Sequence, residues 1–152
     1  MKKLGYVIGA LIVCAAALTL AVVAVGLSAK QAHRLVLQVN SNEPEVMTLA
    51  LNNALNVERY YTGNGERVEI EIVAFGPGLH MLRDDTSPVK DRIKAISEKT
   101  SSIAFQACGN TLENMAKAEN KSIRVIAQAS VVKSGVVRIT ELQEQGWSYV
   151  RP

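Results

Sequence analysis

Few residues in this chain could perform covalent chemistry, and Cys108 is the foremost of them. It lies in the segment FQACGNTLENM, between a short apolar run and a helical pattern. The second cysteine, Cys14, lies within an apolar N-terminal run, where a small membrane residue is expected. At the start of a helix, free backbone N–H groups and the helix dipole favour a thiolate. The sequence therefore leaves two interpretations of Cys108 open, a reactive thiol and a buried inert one.

The residues that follow Cys108 predict the start of a helix. Gly109 lets the backbone turn without crowding the sulfur. Asn110 and Glu113 have the spacing of a helix N-cap and its third residue, which predicts a helix from about Thr111 to Ala118. We take Gly109 and Asn110 as candidate binding residues beside the thiol.

Three further candidates come from the other places where a predicted strand gives way to a helix. In open parallel sheets, ligand sites collect at the carboxyl ends of the strands, so these junctions share one rim. The junctions place Asn40, His80 and Lys133 on the rim with Cys108. His80 is either an acid–base partner of the thiol or a surface histidine. Lys133 is a candidate electrostatic helper and Asn40 a candidate binding residue.

Short apolar runs alternate with helical patterns along the chain from Arg34 onward. The predicted strands are 34–40, 68–75, 103–107, 123–127 and 147–150. The predicted helices are 45–61, one opened by Ser87 as N-cap and Pro88 in its first turn, 111–118 and 135–145. This alternation predicts an α/β fold with a mostly parallel sheet and helices on both faces.

The N-terminus reads as a membrane-directed segment. Residues 5–27 form an uncharged run of 23 residues after Lys2 and Lys3, longer than the roughly 18 that mark a spanning candidate. The segment 1–29 is thus a signal anchor or a signal peptide, and residues 30–152 form the folded domain. An uncleaved anchor is favoured, because Leu27 stands where a cleavage site prefers a small residue. The domain is then expected in the cell envelope, on the periplasmic or extracytoplasmic side, and otherwise secreted to the periplasm.

Composition and spacing argue against several classes of function. Two of the three net positive charges come from Lys2 and Lys3, and no basic cluster or stacking pattern indicates nucleic-acid binding. Beyond the apolar run, one cysteine and two histidines give no metal-site spacing, and no glycine-rich phosphate loop or other cofactor motif is present. A single cysteine beyond the apolar run also excludes an internal disulfide there.

Residues 33–152 resemble the DsrE/DsrF-like proteins, more narrowly their exported or membrane-anchored single-domain members. The resemblance is carried by the strand Arg34–Asn40, the turn FGPG at 75–78, the segment FQACGNT at 105–111 and the tail from Ser134, which ends QGWSYVRP. It implies a flavodoxin-like three-layer α/β/α sandwich of five mainly parallel strands, assembled as a homotrimer or hexamer. It also implies that Cys108 carries sulfur as a persulfide between a donor and an acceptor, which are proteins or small sulfur compounds.

Three functions are consistent with these residues. The first is a persulfide carrier of the sulfurtransferase type, for which rate enhancement in the strict sense is not required. The alternative is a non-catalytic oligomeric module that binds a small ligand or partner protein, with Cys108 structural. The third is cysteine-dependent hydrolysis with His80, which needs an orienting residue and an oxyanion site that the sequence does not identify.

Overall fold

Alternating strands and helices build one sheet with helices on both faces. The structure is a computed structural model that describes residues 32–152. The strands are β1 (His33–Val39), β2 (Val68–Ala74), β3 (Ile103–Cys108), β4 (Ala129–Val132) and β5 (Ser148–Val150). The α-helices are α1 (Pro44–Gly63), α2 (Lys90–Ser97), α3 (Gly109–Glu119) and α4 (Gly135–Glu144), and a 3-10 helix spans Gly76–Leu82.

The sheet has the strand order β4-β3-β2-β1-β5, and every neighbouring pair is parallel. The pairing of β1 with β2 runs from His33 opposite Val68 to Val39 opposite Ala74. The chain thus adds strands on one side of β1 until β4, and then returns to place β5 on the other side. All carboxyl ends therefore meet at one edge, as the predicted parallel sheet requires.

The two faces of the sheet have separate apolar cores. On one face, alternate strand residues such as Leu37 and Ile72 pack with Met47 and Leu51 of α1 and Ile93 of α2. On the other face, a smaller cluster joins Val36 and Val73 of the sheet with Ile139 and Leu142 of α4. Burial on both faces explains the consecutive apolar residues Leu35, Val36 and Leu37 of β1 and Ile72, Val73 and Ala74 of β2. The predicted three-layer α/β/α sandwich is confirmed.

An ion pair also fastens α4 to its face of the sheet. The guanidinium of Arg138 in α4 binds both carboxylate oxygens of Glu71 in β2, and its Nε lies 3.0 Å from Oε2. Glu71 is 8% exposed, so the pair is largely removed from water. This pairing lets an acidic residue occupy a central strand without leaving a buried charge unpaired.

The predicted strand at residues 123–127 is wrong. Ile123 and Ile126 are buried, yet the segment does not join the sheet; β4 begins two residues later, at Ala129. Its backbone binds the chain after the 3-10 helix instead: the Ile126 N–H donates to the Leu82 carbonyl at 2.9 Å, and the Asp84 N–H donates to the Arg124 carbonyl at 2.9 Å. The apolar pattern indicated burial correctly, but the segment is buried against a loop.

Two predicted helix starts also differ from the structure. Asn110 is not the N-cap of α3, because the helix begins at Gly109 and Cys108 itself occupies the cap position. The second difference is at α2, which begins at Lys90 after Val89. Ser87 closes a turn before it: its hydroxyl donates to the Met81 carbonyl at 2.5 Å and accepts the Val89 N–H at 3.4 Å.

The predicted signal anchor or signal peptide of residues 1–29, with its apolar run at 5–27, lies outside the described residues. Within residues 32–152, no helix combines the length and apolar character needed to cross a membrane.

Candidate functional site

The carboxyl ends of β3 and β4 form the point where the chain changes sides of the sheet. After β3, helix α3 packs on the face that carries α1 and α2, through Leu112 and Met115. After β4, helix α4 packs on the opposite face. Two connections that leave neighbouring strands in opposite directions open a crevice at the strand ends, the usual ligand position in such sheets. Cys108, the last residue of β3, lies at this point of the sheet edge, opposite Val132 of β4.

The Cys108 side chain lies beneath the first residue of α4. Ala107 belongs to the core beside α1, so alternation along β3 turns Cys108 to the face of α4. A Cβ atom on Gly135 would lie 3.3 Å from Cys108 Cβ and 3.0 Å from Phe75 Cβ and Cδ1. A glycine at position 135 therefore brings the α4 backbone onto the cysteine, which is 5% exposed.

The surroundings of Cys108 favour the thiolate despite this burial. Burial, the largest single influence, raises the pKa of the Cys108 thiol. The Thr111 side chain and the backbone N–H groups of Gly135, Thr111 and Asn110 together outweigh it, so the pKa lies below the ordinary cysteine value. The Asn110 N–H also donates to the Lys133 carbonyl at 3.2 Å. Donors from α3 and α4 thus converge on one sulfur atom.

Thr111 is oriented by a second hydrogen bond. The backbone N–H of Gly76 donates to Thr111 Oγ1 at 3.1 Å, so the 3-10 helix meets α3 at this side chain. With an N–H occupying an acceptor site of the oxygen, the hydroxyl proton remains for donation to the sulfur. The Gly76 contact thereby directs the Thr111 hydroxyl as a donor toward Cys108.

Two predicted binding residues lie beside Cys108, and Lys133 joins them through its backbone. A Cβ atom on Gly109 would lie 3.1 Å from the Val132 carbonyl oxygen and 3.4 Å from that of Lys133, so α3 starts in close contact with the end of β4. The Asn110 N–H completes this contact by donating to Lys133. The exposed Lys133 ammonium is not among the groups that shift the pKa of Cys108. Its predicted electrostatic role is unsupported.

His80 and Asn40 lie farther along the same rim. His80 shares a 2.8 Å hydrogen bond with the Thr86 hydroxyl and is not among the groups that act on the Cys108 pKa. Asn40 follows β1, and its backbone packs against Gly78. Since β2 separates β1 from β3, Asn40 lies two strand spacings, about 10 Å, from Cys108. The structure thus gives neither residue a direct contact with the thiol.

An open groove of about 510 Å³ adjoins the site on its Thr111 side. Its lining includes His80 from the 3-10 helix, Thr111 and Asn114 from α3, and Asn42 after β1. Thr111 is therefore shared between the groove and the thiol. A ligand in the groove would lie next to the hydroxyl that stabilises the thiolate.

This arrangement can present a nucleophilic or leaving sulfur surrounded by hydrogen-bond donors. It holds no histidine paired with the sulfur, which cysteine-dependent hydrolysis would use as its general base. Among residues 32–152, no group of three or more histidine, cysteine or acidic side chains is arranged to hold a metal ion. The hydrogen-bond donors around the sulfur support the chemistry of a thiolate.

Thr111, Gly135 and Phe75 are site residues that the sequence interpretation missed. Thr111 stands three residues after Cys108, at the third position of the helix that Cys108 caps, where a backbone N–H points back at the cap. That spacing was a usable signal. Gly135 reaches the sulfur, and Phe75 packs beside Gly135, only through the pairing of strands and the position of α4, so the linear sequence carried no comparable signal for these contacts.

Comparisons with known proteins support the fold and indicate no activity. No protein-family model and no curated protein matches the chain. A solved structure that it resembles is MTH1491 from Methanobacterium thermoautotrophicum, described as a protein of unknown function. The two chains are 28% identical with a TM-score of 0.65, and the match covers 79% of this chain and 99% of that one. The chain is thus similar, over most of its described length, to an α/β protein whose role is itself undefined.

Proposed function

We propose that the protein is a sulfane-sulfur carrier, in which Cys108 accepts a sulfur atom as a persulfide and passes it on. The observation that carries the proposal is the convergence of Thr111, Gly135 and the start of α3 on a thiol of lowered pKa. The resemblance of the segment FQACGNT to DsrE/DsrF-like proteins supports the same role. Membership in that family is part of the proposal.

The transfer consists of two thiol–disulfide-type displacements. The Cys108 thiolate attacks the terminal sulfur of a persulfide or polysulfide; a bond forms between Cys108 Sγ and that sulfur, the donor S–S bond breaks, and the donor leaves as a thiolate. The acceptor thiolate then attacks the outer sulfur, and Cys108 leaves as a thiolate. The oxidised sulfur moves between thiols, so the cycle needs no separate oxidant. A lowered pKa makes Cys108 a better leaving group in the second step.

Burial of Cys108 limits the kind of donor that reaches it. At 5% exposure, the sulfur admits a slender polysulfide or persulfide chain more readily than a protein surface. The outer sulfur of the adduct lies farther from the buried Cys108 Sγ, where the acceptor thiolate can attack it. We therefore propose a small sulfur compound as the donor.

The same burial favours a second candidate function, a non-catalytic module with a structural Cys108. The groove lined by His80, Thr111 and Asn114 would then hold the ligand. A buried, unreactive thiol is the commonest state of a free cysteine. The two candidates differ in whether Cys108 reacts in the native protein.

The oligomeric state and the location remain parts of the proposal. Val136 and Val137, in the first turn of α4 near Cys108, are 60% and 51% exposed. Exposed apolar side chains beside a reactive site offer a contact surface for self-association or for an acceptor protein. A homotrimer or hexamer in the cell envelope, anchored or exported through residues 1–29, accords with the sequence.

The test is sulfur loading of the purified protein. A Cys14→Ser background leaves Cys108 as the one thiol, and Cys108→Ser in that background is the control. After reduction and incubation with polysulfide, we expect the intact mass to rise by one or more sulfur atoms in the Cys108 protein alone, and to return after treatment with a thiol reductant. An unchanged mass, together with resistance of the native thiol to alkylation, would reject the carrier and leave the binding module.

A further inference from the structure

A second groove, of about 440 Å³, lies between α1 and α2 and shares no lining residue with the Cys108 site. Its apolar lining comes from Leu55 of α1 and from Ala95 and Ile96 of α2. Three basic residues, one from α1 and two from α2 or its end, line the same space: Arg59, Arg92 and Lys99. The groove therefore combines apolar surface with a concentration of positive charge.

Both arginines of the groove are held in place by neutral acceptors. Arg59 Nε donates to the Leu55 carbonyl at 3.2 Å, and its Nη2 donates to Asn56 Oδ1 at 2.7 Å. Arg92 Nη2 donates to Asn52 Oδ1 at 2.5 Å, and its Nη1 donates to the Thr48 carbonyl at 3.5 Å. Amide and carbonyl oxygens fix the guanidinium groups without cancelling their charge.

Some arginines elsewhere in the domain have carboxylate partners that offset their charge. Arg83 pairs with Asp85 and Glu119, and Arg138 pairs with Glu71. Arg59 and Arg92 form no ion pair within residues 32–152, and neither does Lys99. The groove thus contains positioned cations whose charge the fold itself does not neutralise.

One carboxylate lines the groove, that of Glu58. It accepts a hydrogen bond from the Thr100 hydroxyl at 3.4 Å and makes no ion pair within the described residues. Three cations and one carboxylate leave two net positive charges. A phosphate monoester, with a charge of about −1.5 to −2 at neutral pH, matches that excess.

We propose that the groove between α1 and α2 binds a phosphate monoester that carries an apolar group. Guanidinium forks match phosphate oxygens in geometry, and Arg59 and Arg92 are oriented before a ligand arrives. Lys99 adds a mobile third charge. Leu55, Ala95 and Ile96 accept the apolar part of the ester, so inorganic phosphate alone uses only half of the site.

The probe is octyl phosphate, titrated calorimetrically into the full-length protein. Inorganic phosphate tests the head group alone, and octyltrimethylammonium tests the chain with the opposite charge. We expect octyl phosphate to bind most tightly and the cationic amphiphile not to bind in the groove. Arg92→Gln and Lys99→Gln should each weaken octyl phosphate binding about tenfold, the loss of one charged hydrogen bond. The Lys99 side chain makes no ion pair in the described domain, and the one hydrogen bond of this residue is from its backbone N–H to the Ile96 carbonyl, so the variant should not disturb the fold.

Matched controls separate this site from others. Arg67→Gln removes an exposed arginine outside the groove and should leave octyl phosphate affinity unchanged. Cys108→Ser should also bind normally, so the outcome does not depend on sulfur transfer. Equal binding of octyltrimethylammonium, equal binding of inorganic phosphate, or unchanged affinity in both groove variants would overturn the proposal.

Discussion

At the scale of single residues, the acidity of Cys108 depends on one hydroxyl more than on any other donor. Burial opposes ionisation, and the Thr111 side chain is the largest influence in the opposite direction. The N–H of Gly76, in the 3-10 helix, donates to that hydroxyl oxygen and leaves the hydroxyl proton free to bind the sulfur. The lowered pKa of the cysteine therefore depends on the contact between α3 and the 3-10 helix.

Replacing Thr111 by valine should raise the pKa of the Cys108 thiol, because the lost hydroxyl stabilised only the thiolate. At neutral pH, below the raised pKa, alkylation by iodoacetamide should slow several-fold. Above the pKa values of both proteins, the two rates should converge. The measurement is the alkylation rate as a function of pH.

Two threonine variants control this experiment. Thr111→Ser keeps a hydroxyl and should retain most of the reactivity. Thr86→Val removes a hydroxyl that binds His80 and should have no effect. If Thr111→Val reacted at the wild-type rate throughout the pH range, Thr111 would have no influence on the sulfur.

Cys108 and Gly109 were predictable as site residues because their chemistry and their place after a strand are local properties. His80 and Asn40 were predicted on the same rim, yet a rim extends across several strand spacings and does not bring its members into contact. Distances across a sheet depend on strand order, and the order β4-β3-β2-β1-β5 cannot be read from the residues. The contact of Gly135 with Cys108 could not be predicted for the same reason, because it depends on the strand order.

At the scale of elements, the seating of α4 completes the site. Gly135 begins the helix against Phe75 and Cys108, and Arg138 fastens it to Glu71 one turn later. Close packing at the first residue brings a backbone N–H to the sulfur. If α4 moved away from the sheet, the sulfur would lose that donor and the thiol would become exposed at the same time.

Gly135→Ala should destabilise the protein by about 1–3 kcal/mol, since the added Cβ would press on Phe75 at 3.0 Å in a packed region. Urea unfolding measures this change. Gly63→Ala is the matched control: a Cβ there meets nothing within 4 Å, so that variant should be neutral or slightly stabilised. A similar stability of the two variants would show that the contact with Phe75 is not restrictive.

Element types and most boundaries followed from periodicity, whereas β4 did not. The apolar segment around Ile123 and Ile126 had the stronger strand pattern, and the true strand ASVV is short and largely exposed. An edge strand does not require apolar side chains, so the apolar pattern predicted a strand at the buried loop and not at β4. The start of α3 was misplaced for a related reason: a cysteine is not a residue that sequence rules assign to a cap.

At the scale of the whole molecule, an ionic cluster joins segments distant in the sequence. The fully buried Arg83 binds both carboxylate oxygens of Asp85 and of Glu119. Lys121 lies 3.0 Å from each of the two carboxylates. The cluster thus links the chain after the 3-10 helix to the end of α3. Breaking it would leave a buried guanidinium short of partners.

The cluster should make stability depend on acid. Hydrogen bonds from Arg83 and Lys121 lower the pKa of Glu119 from 4.5 to about 2, and the same two partners lower the pKa of Asp85. Because these pKa values are depressed in the folded state, the stabilisation is present above the ordinary carboxyl pKa and is lost as the pH falls from about 4.5 to about 2. Urea unfolding over this range should show the decline in wild type.

Glu119→Gln should reduce stability at neutral pH and flatten the decline, so that its difference from wild type shrinks in acid. Glu113→Gln, which removes an exposed carboxylate on the same helix, should follow the wild-type curve. A decline of equal steepness in Glu119→Gln and wild type would assign the acid sensitivity to other groups.

The strand order also determines when this site can exist during synthesis. A ribosome releases β1 to β4 before α4, and β5 must then reach β1, whose partner residues Val36 and Tyr149 are more than 100 positions apart. Contacts of such separation form late and slowly. While Gly135 is still inside the ribosome, Cys108 lacks the α4 backbone that buries it and one of the N–H groups that bind its sulfur. The thiol becomes buried, with a lowered pKa, only after α4 has packed on the sheet. Because α4 is synthesised near the end, the site is complete only when the domain is nearly complete.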